Sequence, residues 1–240
     1  MALEVILPIL IVGLSAASIC QVLTGWGFSL VAGPVLILAC GHAAGLQLTV
    51  ALGPAVNTTL LFARWRDVGI RDLLEILLPA AFLAPFWVWL IGGLPDDVVA
   101  RIAGGTGLLA VAMIASGVRL GMLRQQRGAA LSGALSSGLV VAGGVGGPPL
   151  IMHAANNGWP LAATRATLNA YFFLFGLVMF ILIGPPPLNS SAYAAGAGMI
   201  GGLVASVWLT GRVSASAVMR GTLLLAGASG LMLLIFGAHT

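Results

Sequence analysis

The chain says nearly the same thing twice. Trp89-Leu90-Ile91-Gly92, followed by Val99 and Arg101, returns as Trp208-Leu209-Thr210-Gly211, followed by Val218 and Arg220. Trp89 and Trp208 lie 119 positions apart, close to half of the 240 residues. The same shift carries Gly25-Trp26-Gly27 onto Gly144-Val145-Gly146 and Ala43-Ala44 onto Ala162-Ala163. Any one match is ordinary in so Ala- and Gly-rich a sequence. Several at one offset, in one order, mark a duplication of whole halves. Whatever this chain folds into has to be something two copies of one half can build.

Composition fixes where those halves live. Sixty per cent of the residues are hydrophobic and only 7% are charged, against about a quarter charged in a soluble domain. Such a chain cannot cover itself for water, and we expect an all-α polytopic membrane protein embedded in a lipid bilayer. Its 34 Gly and 12 Pro sit inside apolar runs, where small residues let helices approach and proline breaks are tolerated if lined by protein. Doubled halves with glycine-interrupted segments at matching places fit a transporter whose site lies at the repeat interface. The ten cations are all Arg and form no basic stripe, so the net charge of +4 gives no nucleic-acid signal. Cys20 and Cys40 lie in apolar runs and read as small hydrophobes. The first apolar run has Glu4 where a signal peptide carries positive charge, and no A-x-A-like site follows it, so it is expected to be retained.

Each half resolves into five apolar stretches. They run over 4–23, 28–41, 44–63, 71–93 and 98–118, then over 129–142, 147–157, 161–183, 191–210 and 217–237. A helix needs about 20 residues to cross the hydrocarbon core. The second stretch of each half is too short for that, as is the opening stretch of the second half, and these are expected to be half-helices or re-entrant segments. The expected organisation is a first repeat over 1–118, an Arg-rich cytoplasmic link over 119–128 and a second repeat over 129–240. Arginine bias orients it: Arg64, Arg66 and Arg71 crowd one link, and Arg119, Arg124 and Arg127 the link between halves. Asp96-Asp97 stands alone between them and Arg212 follows later, which puts the Arg links inside and the acidic link outside. Five passages per half, or three if the opening pair is re-entrant, are odd in number. The two repeats then point oppositely in a cell (inner) membrane, with both termini outside.

The two glycine turns are the candidate site. One reads Gln21-Val22-Leu23-Thr24-Gly25-Trp26-Gly27-Phe28-Ser29 and the other Gly143-Gly144-Val145-Gly146-Gly147-Pro148-Pro149. Glycine lets a ligand approach the main chain, and a half-helix starting at Ser29 or Gly147 points free N–H groups and a positive dipole end into the protein. Two such ends converging make an anion cradle; the alternative is that the glycines only permit tight packing. All six acids lie near span ends or links, with none at an apolar midplane where cation and proton pumps keep a carboxylate. His153 is either an anion donor and proton carrier or a side chain bonded to a backbone carbonyl. Arg165 is either an interface anchor or a substrate contact near the second turn. Arg101 and Arg220 hold equivalent places and read either as anchors snorkelling to opposite interfaces or as a pair that brackets an anion pathway. Thr49, Asn57, Thr58, Thr167 and Asn169 need partners in lipid, and helix-to-helix hydrogen bonds account for most of them; of Thr49 and Thr167, one is also suited to line a cavity. His42 sits in a link and His239 at the terminus, where no role attaches to them. No H-E-x-x-H, G-x-S-x-G, C-x-x-C or Walker A pattern occurs, so neither an enzyme nor a metal or cofactor is expected.

At the glycine turns the sequence resembles the TauE/SafE (TSUP, sulfite exporter) family of membrane permeases. The residues that carry the resemblance are Gly25-Trp26-Gly27-Phe28-Ser29-Leu30-Val31-Ala32-Gly33-Pro34 and Gly143-Gly144-Val145-Gly146-Gly147-Pro148-Pro149-Leu150. Trp26, Phe28 and Ser29 depart from that family's fuller glycine run. The resemblance implies transport, often outward, of small sulfur-containing anions such as sulfite, thiosulfate or organosulfonates. Thr24, Ser29, His153 and Arg165 are expected to assist the turns, with a proton or sodium ion as coupling partner and an oligomer possible. The other readings are a passive anion channel and a non-transporting membrane anchor subunit.

Overall fold

The computed structural model describes residues 3–116, 121–123 and 125–236. Arg119, Arg124 and His239 lie outside them. The described residues form ten α-helices and two 3-10 turns, with no strand among them. The first half holds α1 (Leu3–Thr24), α2 (Phe28–Cys40), α3 (His42–Arg64), α4 (Ile70–Gly92) and α5 (Asp96–Ser116). The second holds α6 (Gln125–Gly143), α7 (Gly147–Asn156), α8 (Leu161–Ile183), α9 (Ser190–Leu209) and α10 (Ala215–Phe236). Seven of these helices, all but α2, α6 and α7, are long and apolar enough to cross a membrane. The chain is therefore an all-helical polytopic membrane protein.

The helix boundaries keep the spacing of the sequence repeat. Phe28 and Gly147, His42 and Leu161, and Asp96 and Ala215 each open corresponding helices 119 positions apart. Backbone geometry follows as well. Gly25 and Gly144 both take positive φ, at 94° and 71°. The residues two beyond them, Gly27 and Gly146, cap the short helices at φ/ψ of −103°/−11° and −108°/−4°. Helix partners exchange between halves: α1 packs along α9 and α6 along α4, while α3 packs on α8 and α5 on α10. Equivalent helices of the two halves thus take equivalent partners in the opposite half.

Two expectations change. The opening helix of the second half is not short, because α6 begins at Gln125 rather than at 129 and runs 19 residues. Its first turns carry Gln, Arg and Ser, so hydropathy alone misses them, and Gln125 to Gly128 belong to this helix rather than to a free link. α1 is likewise a full 22-residue helix. The short pieces are thus α2 and α7 alone, at 13 and 10 residues, or roughly 20 and 15 Å against a core of about 30 Å.

Close backbone contact seats these short helices. A Cβ on Gly33, midway along α2, would lie 2.8 Å from the Gly143 oxygen, and one on Gly144 would lie 2.8 Å from the Gly33 Cα. The first short helix therefore rests directly on the second glycine turn. The matching Trp89 and Trp208 both face outward at 72% and 66% exposure, and Arg101 and Arg220 are both exposed, as surface anchors are.

Candidate functional site

A cavity of about 40 Å³ opens where the halves meet. Trp26, Phe28 and Ser29 of the first turn line it together with Gly144 of the second. Thr49, Val50, Gly53, Pro54 and Asn57 of α3 complete one wall. Val140, Phe172, Phe175, Gly176 and Met179 form the opposite one. The shift of 119 pairs Gln21 with Val140, Gly53 with Phe172 and Asn57 with Gly176, so the cavity straddles equivalent elements. Its polarity is nonetheless one-sided: Gln21, Ser29, Thr49 and Asn57 all come from the first half.

Gln21 organises that side. Its Oε1 accepts from the Phe28 N–H at 2.8 Å, capping the start of α2. Its Nε2 donates to the Asn57 and Asn169 Oδ1 atoms, each at 2.8 Å. Asn169 Nδ2 in turn donates to the Arg165 and Gly25 oxygens at 2.6 and 3.3 Å. One buried carboxamide thus ties α1, α2, α3 and α8 around the first turn. Asn57 Nδ2 spends one hydrogen on the Gly53 oxygen and keeps a second. Thr49 donates to the Gly45 oxygen, which leaves its own oxygen as an acceptor. Pro54 lacks the N–H that would engage the Val50 carbonyl one turn back, so that oxygen is released beside the cavity. Carboxylates and cations are absent from the lining.

The expected site residues divide accordingly. Phe28, Ser29 and Gly144 line the cavity. Thr24 is buried beside it with its hydroxyl donated to the Cys20 oxygen at 2.7 Å. Gly25, Gly27, Gly146, Gly147 and Pro148 are buried in the turns behind the lining. Packing alone requires some of these glycines: a Cβ on Gly146 would stand 2.5 Å from Val140 Cγ2 and 2.7 Å from Ser136 Oγ. The two helix N-termini do not converge as a symmetric cradle. α2 presents its first turn to the cavity, whereas α7 opens with Pro148 and Pro149, which have no N–H to offer.

His153 lies elsewhere. It is buried with Nδ1 2.9 Å from the Leu123 oxygen and its ring edge-on to Trp159, the carbonyl-bonded alternative of the two. It borders a separate polar cavity with Arg71, Asp72, Glu75 and Asn157. Arg165 packs on the first glycine turn rather than the second: a Cβ on Gly25 would meet its Cγ at 2.6 Å, and Nη2 donates to the Leu23 oxygen at 3.3 Å. Asn57 and Asn169 are joined helix to helix through Gln21, and Thr49 is the threonine that lines the cavity, while Thr167 accepts from the Gly69 N–H. Among the described residues no group of three or more His, Cys, Asp or Glu is placed to hold a metal.

Comparison of the chain with protein-family models, curated proteins and solved structures gave no match.

Proposed function

We propose that this protein is a secondary transporter of small sulfur-containing anions, with cargo held in the cavity between the two glycine turns. The observation that carries the reading is the cavity itself, which lies where equivalent elements of both halves meet and has no carboxylate among its described lining residues. The donors available to a cargo are the Ser29 hydroxyl, the spare Asn57 Nδ2 hydrogen and the N–H groups of the first turn of α2 beyond Phe28. Together with the positive end of the helix dipole they favour negative charge without a formal cation. A volume of about 40 Å³ is room for roughly three waters at 10–15 Å³ each, the order of a sulfite or thiosulfate ion. An organosulfonate needs the cavity to widen. Sulfur as the central atom, and outward direction, come from the TauE/SafE resemblance of the glycine turns.

Arginine bias supports two repeats of opposite orientation in a cell membrane, rocking against each other around the site, with the short α2 and α7 each completing a passage. A proton or sodium gradient then drives the movement.

Gly53 offers the direct test. It lines the cavity, and a Cβ there meets nothing within 4 Å. Gly53→Val is expected to abolish sulfite flux in proteoliposomes while the protein inserts and melts like the parent; unchanged flux overturns the cavity as the binding site. Saturation and gradient dependence separate a transporter from an ohmic channel. No flux for sulfite, thiosulfate, sulfonate or carboxylate leaves the anchor-subunit reading.

A further inference from the structure

Two hydrogen bonds cross between the halves in reciprocal places. Arg165, in α8 of the second half, donates Nη2–H to the Leu23 carbonyl at the end of α1. His42, opening α3 of the first half, sets Nε2 3.0 Å from the Val141 carbonyl at the end of α6. A carbonyl only accepts, so that nitrogen carries the proton. The shift of 119 matches Arg165 to Leu46, one helical turn beyond His42 and hence on the same face of α3. It matches Leu23 to Ala142, the neighbour of Val141. Each half therefore reaches across to the last turn of the helix that leads into the other half's glycine turn.

We infer that these two bonds are the closures of the two mouths of the cavity, and that His42 is the counterpart of Arg165. The inference rests on the transport reading and adds the parts that move. In a rocking movement, the cross-half contacts at one mouth part while those at the other hold. Here both are made, and the central cavity between them is small. Each closure has a further cross-half bond beside it: one turn from Arg165, Asn169 accepts from Gln21 at 2.8 Å and donates to the Gly25 carbonyl at 3.3 Å. Arg165 makes one long bond, and its Nε is buried without a partner. On the His42 side Gln47 adds a second cross-half bond, to the Ile183 carbonyl at 2.8 Å. His42 and Gln47 also line a cavity of about 160 Å³, space for cargo just past that closure. Arg165 and His42 are positioning residues and act through the helix ends they hold.

A cysteine at position 53 reports on each mouth, in a Cys20→Ala, Cys40→Ala background. A membrane-impermeant maleimide is applied to whole spheroplasts and to inverted vesicles. Arg165→Ala is expected to raise labelling of Gly53→Cys from one face, and His42→Ala from the opposite face, each about five-fold for one lost hydrogen bond. Arg165→Lys and His42→Gln, which keep a donor, should label like the parent. If an alanine variant fails to insert, Arg165→Met and His42→Phe remove the same donor with bulk retained. Increased labelling from the same face in both variants overturns the inference. So does labelling at the parent level, or conservative variants that behave like the alanine ones. Sided labelling without anion flux in proteoliposomes keeps the two closures and removes the transport reading; normal flux with unsided labelling does the reverse.

Discussion

Gln21 is the residue on which the first turn depends. Removing its carboxamide leaves the Phe28 N–H and the Asn57 and Asn169 oxygens buried without their partner. Each side-chain bond of this kind is worth about 0.6–1 kcal/mol in a membrane protein, so Gln21→Leu is expected to cost about 2 kcal/mol in all. The check is a thermal melt in detergent, with Asn57→Ala falling between parent and Gln21→Leu; a melt unchanged in Gln21→Leu denies it the organising role. Gln21 opens the first glycine-turn stretch, but nothing in the repeat gives it a role there. Its equivalent in the other half is Val140, and its partners lie 36 and 148 positions away on other helices. The repeat reveals what the halves share, and the polar side of the cavity is what they do not share. Arg165 lies against the first turn for a related reason: proximity along the chain favours the second, whereas α8 packs back against the first half.

At the scale of elements the sequence is far more explicit. The stretch 161–183 matches α8 residue for residue, and most others differ from their helices by one or two positions. Lipid enforces this, because an apolar run has to satisfy its own backbone and does so as a helix. α6 is the exception, where polar first turns pack against protein and the hydropathy signal fails. Glycine usage adds a prediction. At Gly33 an added Cβ runs into the backbone of Gly143 and Gly144, so Gly33→Leu should push α2 off the second turn and lower the yield of folded protein sharply. Gly105 in α5 meets open space, and Gly105→Ala should leave the melt unchanged or raise stability by about 0.5 kcal/mol, since alanine is the better helix former. Equal effects at the two positions, read by size-exclusion profile and melting temperature, would show that the crossing of α2 with the turn is not what restricts Gly33.

For the whole molecule the decisive property is the relative orientation of the halves. The partner exchange among α1, α9, α4 and α6 is the pattern a two-fold relation gives, and such an axis can lie along the membrane normal or within its plane. Each half has five helices, an odd number that turns the second half over if all of them cross; if the short α2 and α7 do not cross, four remain per half and the repeats are parallel. The proposed arrangement puts the axis in the plane, because the acidic link at Asp96-Asp97 and Arg212 fall in corresponding links with opposite charge bias. Gly93 and Arg212 are equivalent positions at the end of α4 and just past α9, and both are exposed. Single cysteines placed there in the cysteine-free background should be labelled by an impermeant reagent from opposite faces, Gly93→Cys from outside and Arg212→Cys from inside. Labelling of both from one face would make the repeats parallel. The closures at Arg165 and His42 would then lie at the same mouth, and a site reached alternately from two sides could not be built from this pair of halves.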